Sequence, residues 1–403
     1  MVRGVSFKFL VETHDYASVQ VSGGADLNQT ATGSKSSGSS QPAGGFDTPM
    51  AYVKRDIPDS GAILKVGWVG TGPFSFYSHY ILVINNIFRS YNPLNMRISH
   101  IWGDDYSRNY RGRQEWVDSM LAYWASDDQS PTGIAAKCSI PNVCGDFREM
   151  ADEVDAAMIM DFDRAYDLAE PFLTRGKPVF LCSPVAVSVP ECERILNLAE
   201  STGSAVITGS FTFAMTQNRM LQIHAKREDI ASFFASTSCN FFTSYVNDGL
   251  EPIHWLVGGG VKRVQLVGWN GSHGYDPHGI PVSRIHLEYE PRGENPPIQG
   301  VLNLGGFKEE MEWYKVYYRS HEVIEDTTTW GGRELNFTEF LLLIQETFMT
   351  NKSPEKHEDI VAKLRVLIAA YKSANEGQRT VDVDEIGDYR LPTVRIEKWD
   401  VIP

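Results

Sequence analysis

Residues 63–105 read ILKVGWVGTGPFSFYSHYILVINNIFRSYNPLNMRISHIWGDD, in the order strand, glycine turn, helix, strand, acid. The apolar run ending at Val69 meets Gly70-Thr71-Gly72, a turn tight enough to let backbone come close to a ligand. The pattern over 75–89 predicts a helix whose free N–H groups and positive dipole end face that turn, which suits a pyrophosphate. Gly70, Gly72, Pro73 and Phe74 are therefore candidate cofactor contacts. A second apolar strand over 96–102 delivers Asp104 and Asp105. An acid there would accept hydrogen bonds from an adenosine ribose and repel a 2′-phosphate, favouring NAD over NADP. Two features depart from the dinucleotide fingerprint: Ser75 stands at its third glycine position, and the acid follows after about thirty residues where about twenty is usual. A bare strand–helix turn is the alternative, and the order of elements favours the cofactor.

The chain of 403 residues is longer than one core usually serves, so two domains are expected, over 62–210 and 211–403. A net charge of −14 argues against non-specific nucleic-acid or anionic-membrane binding, which needs a basic face. The sequence contains no apolar run of membrane-spanning length and no signal-peptide core near its start, and a cytoplasmic protein is the natural expectation. Cys138, Cys144, Cys182, Cys192 and Cys239 are odd in number and lack a C-x-x-C, so reduced thiols without a zinc site are expected.

Residues 1–61 hold two strand-like pieces, VSFKFLV and ASVQVS, and a Gly/Ser/Thr-rich linker over 23–45. From 62 to about 209 strand and helix alternate, which argues for a parallel sheet with helices on both faces, a doubly wound Rossmann domain. Helices are predicted over 111–124, 146–153, 189–203 and up to Leu173, strands near 135–139, over 155–161, 177–181 and 205–209. Beyond Ser210 a mostly helical stretch over 219–238 gives way to strands over 261–268, 282–289, 299–304 and 313–325. Successive strands without helices between them predict an α+β domain with an open, largely antiparallel sheet. Helices over 338–348 and 357–374 close the pattern.

The run VDAAMIMDFDRAYDLAEPFLTRGKPVFLCSPVAVSVPECERILNLAESTGSAVITGSF, from Val154, resembles the corresponding stretch of the glucose-fructose oxidoreductase/inositol dehydrogenase (Gfo/Idh/MocA) family, with its VDAVVIATP strand and GKHVLCEKPLA strand. Gly70 and Gly72 stand where that family has its own turn. Phe340, Leu367, Ala370 and Tyr371 resemble its closing helices, and the likeness covers about residues 62–385. The resemblance implies a Rossmann domain, a second domain whose open sheet mediates dimers or tetramers, a nicotinamide cofactor, and hydride transfer at a sugar or cyclitol carbon. It also implies cofactor contacts at Asp161, Phe162, Ser183 and Pro184. Cys182-Ser183-Pro184 replaces the family's Glu-Lys-Pro, so the usual lysine is absent; a serine can hydrogen-bond there but cannot act as a base near neutrality. By alignment through WLVGG, Glu251 falls near the usual aspartate and Gly249 near the usual histidine.

Chemistry on a hydroxyl needs a base, and the candidates between the domains are Glu251, His254, Asp248 and Tyr245. On a helix beginning near Asp248, Glu251 and Trp255 share a face while His254 points elsewhere. Glu251 is the first choice and His254 the second; a first-turn helix carboxylate and a packed histidine are the bland alternatives. Sugar contact by Trp269, His273 or Tyr275 is favoured over a metal site at His273, Asp276 and His278, because no fixed helix or strand holds the ligands, and a plain connecting loop is the bland alternative. Trp330 and Arg333 suit a loop over the substrate, with the arginine placed to clamp a carboxylate. Cys182 reads as a small buried apolar residue. Trp313, Tyr314, Tyr317 and Tyr318 alternate like sheet surface in an oligomer interface. The resulting expectation is an NAD-dependent oxidoreductase acting on a carbohydrate-like hydroxyl. A redox-neutral lyase or glycoside-cleaving enzyme with tightly held NAD, and a non-catalytic partner subunit, are the alternatives.

Overall fold

Three short runs, AAMI, VFL and VIT, are buried along their whole length, as strands covered on both faces must be. In the computed structural model they are β4 (Ala156–Ile159), β5 (Val179–Leu181) and β6 (Val206–Thr208). With β1 (Leu64–Val69), β2 (Met96–Trp102) and β3 (Asn142–Val143) they form a six-stranded, all-parallel sheet in the order β3-β2-β1-β4-β5-β6. That is the doubly wound Rossmann order. The structure describes residues 63–70, 84–85, 94–104, 130–209, 227–237, 242–269, 283–304, 310–329 and 333–391, all within one compact unit, Phe46–Pro403. The two N-terminal strands, the predicted helix over 111–124 and most of the one over 75–89 fall outside them.

The connecting helices carry clear local signals. Ser130 caps α1 (Pro131–Cys138) by accepting from Gly133 N, and Pro131 opens the helix. The strand expected at 135–139 is therefore helical. Asp146 caps α2 (Phe147–Glu153) through Arg148 N. After α3 (Ala165–Leu173), α4 (Val189–Thr202) ends at Gly203 with φ +69°.

The second sheet has seven strands in the order β12-β11-β7-β10-β9-β8-β13. They are β7 (Ile230–Thr237), β8 (Val261–Val267), β9 (Ser283–Tyr289), β10 (Gln299–Leu304), β11 (Glu310–Tyr318), β12 (Val323–Thr329) and β13 (Val381–Asp382). All neighbours are antiparallel except β7 and β10. Two expectations change here. The stretch IASFFAST, expected to be helical, is β7, because its buried positions Phe233, Ala235 and Thr237 alternate. The single strand expected over 313–325 is a hairpin, turned at His321 with φ +69°.

One face of this sheet is covered by α5 (Phe242–Val257) and α7 (His357–Asn375). Helix α6 (Arg333–Thr350) returns to the Rossmann sheet, where Phe340 meets Phe180 edge-on at 5.7 Å. The turn after α6 then covers an exposed edge. Asn351 Oδ1 accepts from Ala205 N at 2.8 Å and Ser353 Oγ from Val206 N at 2.9 Å, pairing N–H groups that edge strand β6 would leave open. No helix of the described residues is long and apolar enough to cross a membrane.

Gly249 explains how closely α5 lies on its sheet: a Cβ there would stand 2.7 Å from Thr237 Cγ2 and 3.0 Å from Leu302 Cδ2. Gly249→Ala is expected to cost about 1–3 kcal/mol by forcing the helix outward. A lower urea midpoint at unchanged slope is the measurement that checks it.

Candidate functional site

The C-terminal ends of four strands of the Rossmann sheet lie level. Gly70 N donates to Trp102 O at 2.9 Å, Met160 N to Val69 O at 2.9 Å, and Cys182 N to Ile159 O at 3.0 Å. The chain order reverses between β1 and β4, and ligands of open parallel sheets bind in the crevice outside the strand ends at such a reversal. Gly70 occupies that point with φ +101°, a conformation that favours glycine, and a Cβ on it would stand 3.4 Å from Asp161 Cβ. The Trp68 indole donates to Gly70 O at 2.9 Å and holds the turn. Backbone bare of side chain, facing a crevice with an acid at the end of β2, fits a dinucleotide. Gly70 would admit the phosphates and Asp104 would take the ribose hydroxyls.

A charge bridge crosses this end of the sheet. Arg164 Nε and Nη2 donate to Asp161 Oδ2 at 3.0 and 2.6 Å, while Nη1 and Nη2 reach Asp104 Oδ2 and Oδ1 at 2.8 and 3.3 Å. Asp161 also caps the turn after β4 by accepting from Asp163 N at 3.1 Å. Burial pushes the Asp161 carboxyl above its usual range, and the charge and hydrogen bonds of Arg164 work against that push. For Arg164, burial acts to lower the pKa, and the hydrogen bonds and charges of the two aspartates outweigh it and raise it. Sequence reasoning singled out both aspartates and missed the arginine; the available signal was the three-residue spacing from Asp161.

Beyond β5, Ser183 is 2% exposed, and its bond to Pro184 is cis. Its hydroxyl accepts from the Asn247 side-chain amide of α5, itself buried, so the second layer touches the Rossmann sheet at the strand end where the site is expected. Phe162 packs into the hydrophobic core. Cys182 is buried, and burial first of all keeps its thiol far above the usual pKa, so the expected inert role fits.

Residues 64–210 match the family model described as GFO_IDH_MocA: oxidoreductase family, NAD-binding Rossmann fold. Over those residues, about a third of its length, the chain is similar to the Rossmann domain of that family. A comparison with curated protein sequences gives no match. Among solved structures, the chain is similar to myo-inositol dehydrogenase from Lactobacillus casei in complex with NAD(H) and myo-inositol, at 14% identity and TM-score 0.58 over 79% of this chain and 96% of that one. It is similar to apo scyllo-inositol dehydrogenase from the same organism at 13% identity and TM-score 0.59, over 80% and 99%. A probable dehydrogenase from Thermotoga maritima gives 13% and 0.56, over 80% and 100%. At these identities the likeness is one of fold, and it extends past the Rossmann domain into the second sheet.

The residues expected to act as base sit elsewhere than a base needs to be. Glu251 lies four residues beyond Asn247 on α5 but is 2% exposed, with its Oε1 3.6 Å from Lys363 Nζ. Lys363 also holds Glu355 at 2.7 Å, so two carboxylates share one buried ammonium. His254 packs beside them and lines, with Lys363, Tyr289 and Leu250, a small cavity between α5, α7 and the second sheet. Burial, then the charges of Lys363 and Arg227, drive its imidazole down to about 3. The Asp359 carboxylate 3.8 Å away is 43% exposed, too solvated to reverse this. Both groups thus lack the access or the basicity of a general base at neutral pH. Trp269, half-buried, packs against the core. Gly72, Pro73, Phe74, Asp105, His273, Tyr275, Asp276, His278 and Trp330 lie outside the described residues, as do the side chains of Tyr245, Asp248 and Arg333. Among the described residues no three His, Cys, Asp or Glu are grouped to hold a metal.

Lys363→Met strands two buried carboxylates and is expected to cost about 3–5 kcal/mol, read as a fall in thermal midpoint. His254 carries an acid liability. The unfolded imidazole takes a proton near 6.5 and the folded one refuses it until about 3, so stability is lost as the pH falls below about 6.5. Relative to the parent, His254→Asn is expected to gain about 2 kcal/mol between pH 7 and pH 5 in urea titrations.

Proposed function

We propose that the chain is a cytoplasmic, nicotinamide-dinucleotide-dependent oxidoreductase acting on a hydroxyl of a sugar, sugar acid or cyclitol. The observation that carries this reading is the reversal point of the parallel sheet, where Gly70 holds φ +101° against Asp161 with Asp104 beside it. Residues 62–210 would bind the cofactor and 211–403 the substrate, after an N-terminal segment of strands and linker over 1–61. Bound in the crevice, a nicotinamide would supply the hydride acceptor or donor. The chain's part is to orient and to exclude water. Ser183, buried and held by Asn247 at the end of β5, positions the second layer against that strand end. Glu251 acts in this reading as a positioning residue, because its ion pair to Lys363 ties α5 to α7 and so sets where Asn247 meets Ser183, while His254 packs beside that pair.

A second reading follows from that same contact. Neither serine nor an amide is a base near pH 7, which favours redox-neutral cleavage with tightly held NAD, or a dinucleotide-binding partner subunit without turnover. Product analysis by mass spectrometry without added cofactor separates these from net oxidation.

The open face of the second sheet carries Phe234, 41% exposed, in register with Val301 of β10, which is in register in turn with His286 of β9. This face suits a homodimer or homotetramer contact. Phe234→Asp is expected to lower the molar mass seen by light scattering.

Gly70→Val puts a β-branched side chain at positive φ in the crevice, and dinucleotide affinity is expected to fall at least about tenfold by calorimetry. Parent protein that takes up neither NAD nor NADP, and shows no change at the reduced-nicotinamide absorbance with any polyol, sugar or sugar acid, sinks the proposal.

A further inference from the structure

Six residues, 183–188, lead from β5 into α4, and every one of them is buried. The loop stands at the C-terminal end of β5, on the half of the sheet away from Asp104. A dinucleotide laid across the reversal with its adenosine ribose at the end of β2 would lay its nicotinamide half on that side. The Rossmann layer does not hold this loop alone. At its start Ser183 Oγ accepts from the Asn247 amide of α5. At its end Leu391 N donates to Val187 O at 2.8 Å, and Leu391 is 2% exposed. Ser188, extended at the N-cap of α4, makes no side-chain cap to that helix. Its hydroxyl instead accepts from Arg390 Nη1 at 3.5 Å, and Arg390 Nη2 stands 3.6 Å from Glu191 Oε2 in the first turn. The Glu191 side chain is only 14% exposed; burial pushes its carboxyl up, and the charge of Arg390 works against that push.

Residues 383–391 run between the two layers as a strap. Its near end follows β13, which pairs with β8 through Val381 and Val264, and Lys372 Nζ of α7 donates to Glu385 O at 3.0 Å. Ile386 is buried, and Tyr389 meets Tyr371 of α7 edge-on at 6.1 Å. The strap is thus fastened along its length to the second layer, and its far end grips Ser188, 202 residues before Arg390 in the chain. Backbone pairing to Val187 limits how far the loop moves against the strand ends, and Arg390 fixes the first turn of α4. We propose that Arg390 and Leu391 are positioning residues for the nicotinamide half of the site, holding the 183–188 loop where a ring bound over β4 and β5 would pack. This rests on the dinucleotide reading of the crevice and adds to it a segment that the Rossmann motif itself does not contain.

The test uses the full chain with NADH, whose ring fluorescence moves to shorter wavelength when the ring leaves water, and with ADP-ribose, which lacks the ring. In the parent, bound NADH is expected to emit at shorter wavelength than free NADH. Arg390→Gln, and Leu391→Pro, which removes the N–H donor, are expected to lose about half of that shift or more, while calorimetric affinity for ADP-ribose stays within about threefold of the parent. Unchanged NADH emission in the folded variants overturns the proposal. Equal losses of NADH and ADP-ribose affinity also overturn it, since the strap would then only support the fold. If Leu391→Pro fails to fold in a thermal scan, Arg390→Gln decides, because that side chain is 58% exposed. A parent whose bound NADH emits like free NADH overturns the proposal and leaves the dinucleotide reading standing. Binding of neither NADH nor ADP-ribose by the parent removes that reading, and the positioning proposal with it.

Discussion

A crevice at the reversal of a parallel sheet requires two strand ends to approach without side chains in the way. Here the approach is between Gly70 and the turn at Asp161, where even one added carbon would be in contact at 3.4 Å. Much of the neighbourhood serves that closeness. The Trp68 indole fixes the Gly70 carbonyl, Asp161 folds the next turn by capping Asp163, and Arg164 ties the ends of β4 and β2 together across it. The glycine creates the space and the aspartates and arginine furnish it with charge.

The second layer is fastened to that edge at several separate points. Asn247 reaches Ser183, Phe340 meets Phe180, and the turn after α6 caps the edge strand through Asn351 and Ser353. Leu391 N donates to Val187 O at 2.8 Å further along the chain. Hydrogen bonds of this kind individually contribute only about 0.5–1.5 kcal/mol, but each satisfies a group that burial would otherwise penalise. Their spacing along the chain, from 247 to 391, makes the Rossmann sheet depend on residues far from it in sequence.

Charge is handled differently in the two layers. At the strand ends an arginine sits between two aspartates and keeps partial access to solvent. Between α5 and α7 a lysine sits between two glutamates, all nearly inaccessible, and burial raises Glu355 to about 6 in spite of the ammonium. Glu355 therefore stabilises fully below its ordinary 4.5 and loses that contribution as the pH rises through 6, the opposite of His254. A partly open charge bridge can exchange partners with a ligand; a sealed one holds two helices in register.

Local pattern was enough to read a parallel, doubly wound sheet, because β4, β5 and β6 are continuous apolar runs bounded by turn residues and Gly70 ends a strand, while the strand order came only from pairing. The capping signals at Ser130 and Asp146 were equally local, although Ser130-Pro131 was passed over and α1 was expected as a strand. IASFFAST was expected as helix because its apolar residues fit either period; pairing with β10 and β11 decided it. Glu251 and Asp161 could be picked out by position, but not what stands opposite them. Lys363 lies 112 residues beyond Glu251 and Asp104 lies 60 before Arg164, and whether a carboxylate is a base, a tie or a specificity element depends on that distant cation. Periodicity and turn chemistry are properties of neighbours along the chain; access, partnership and proton affinity are properties of neighbours in space.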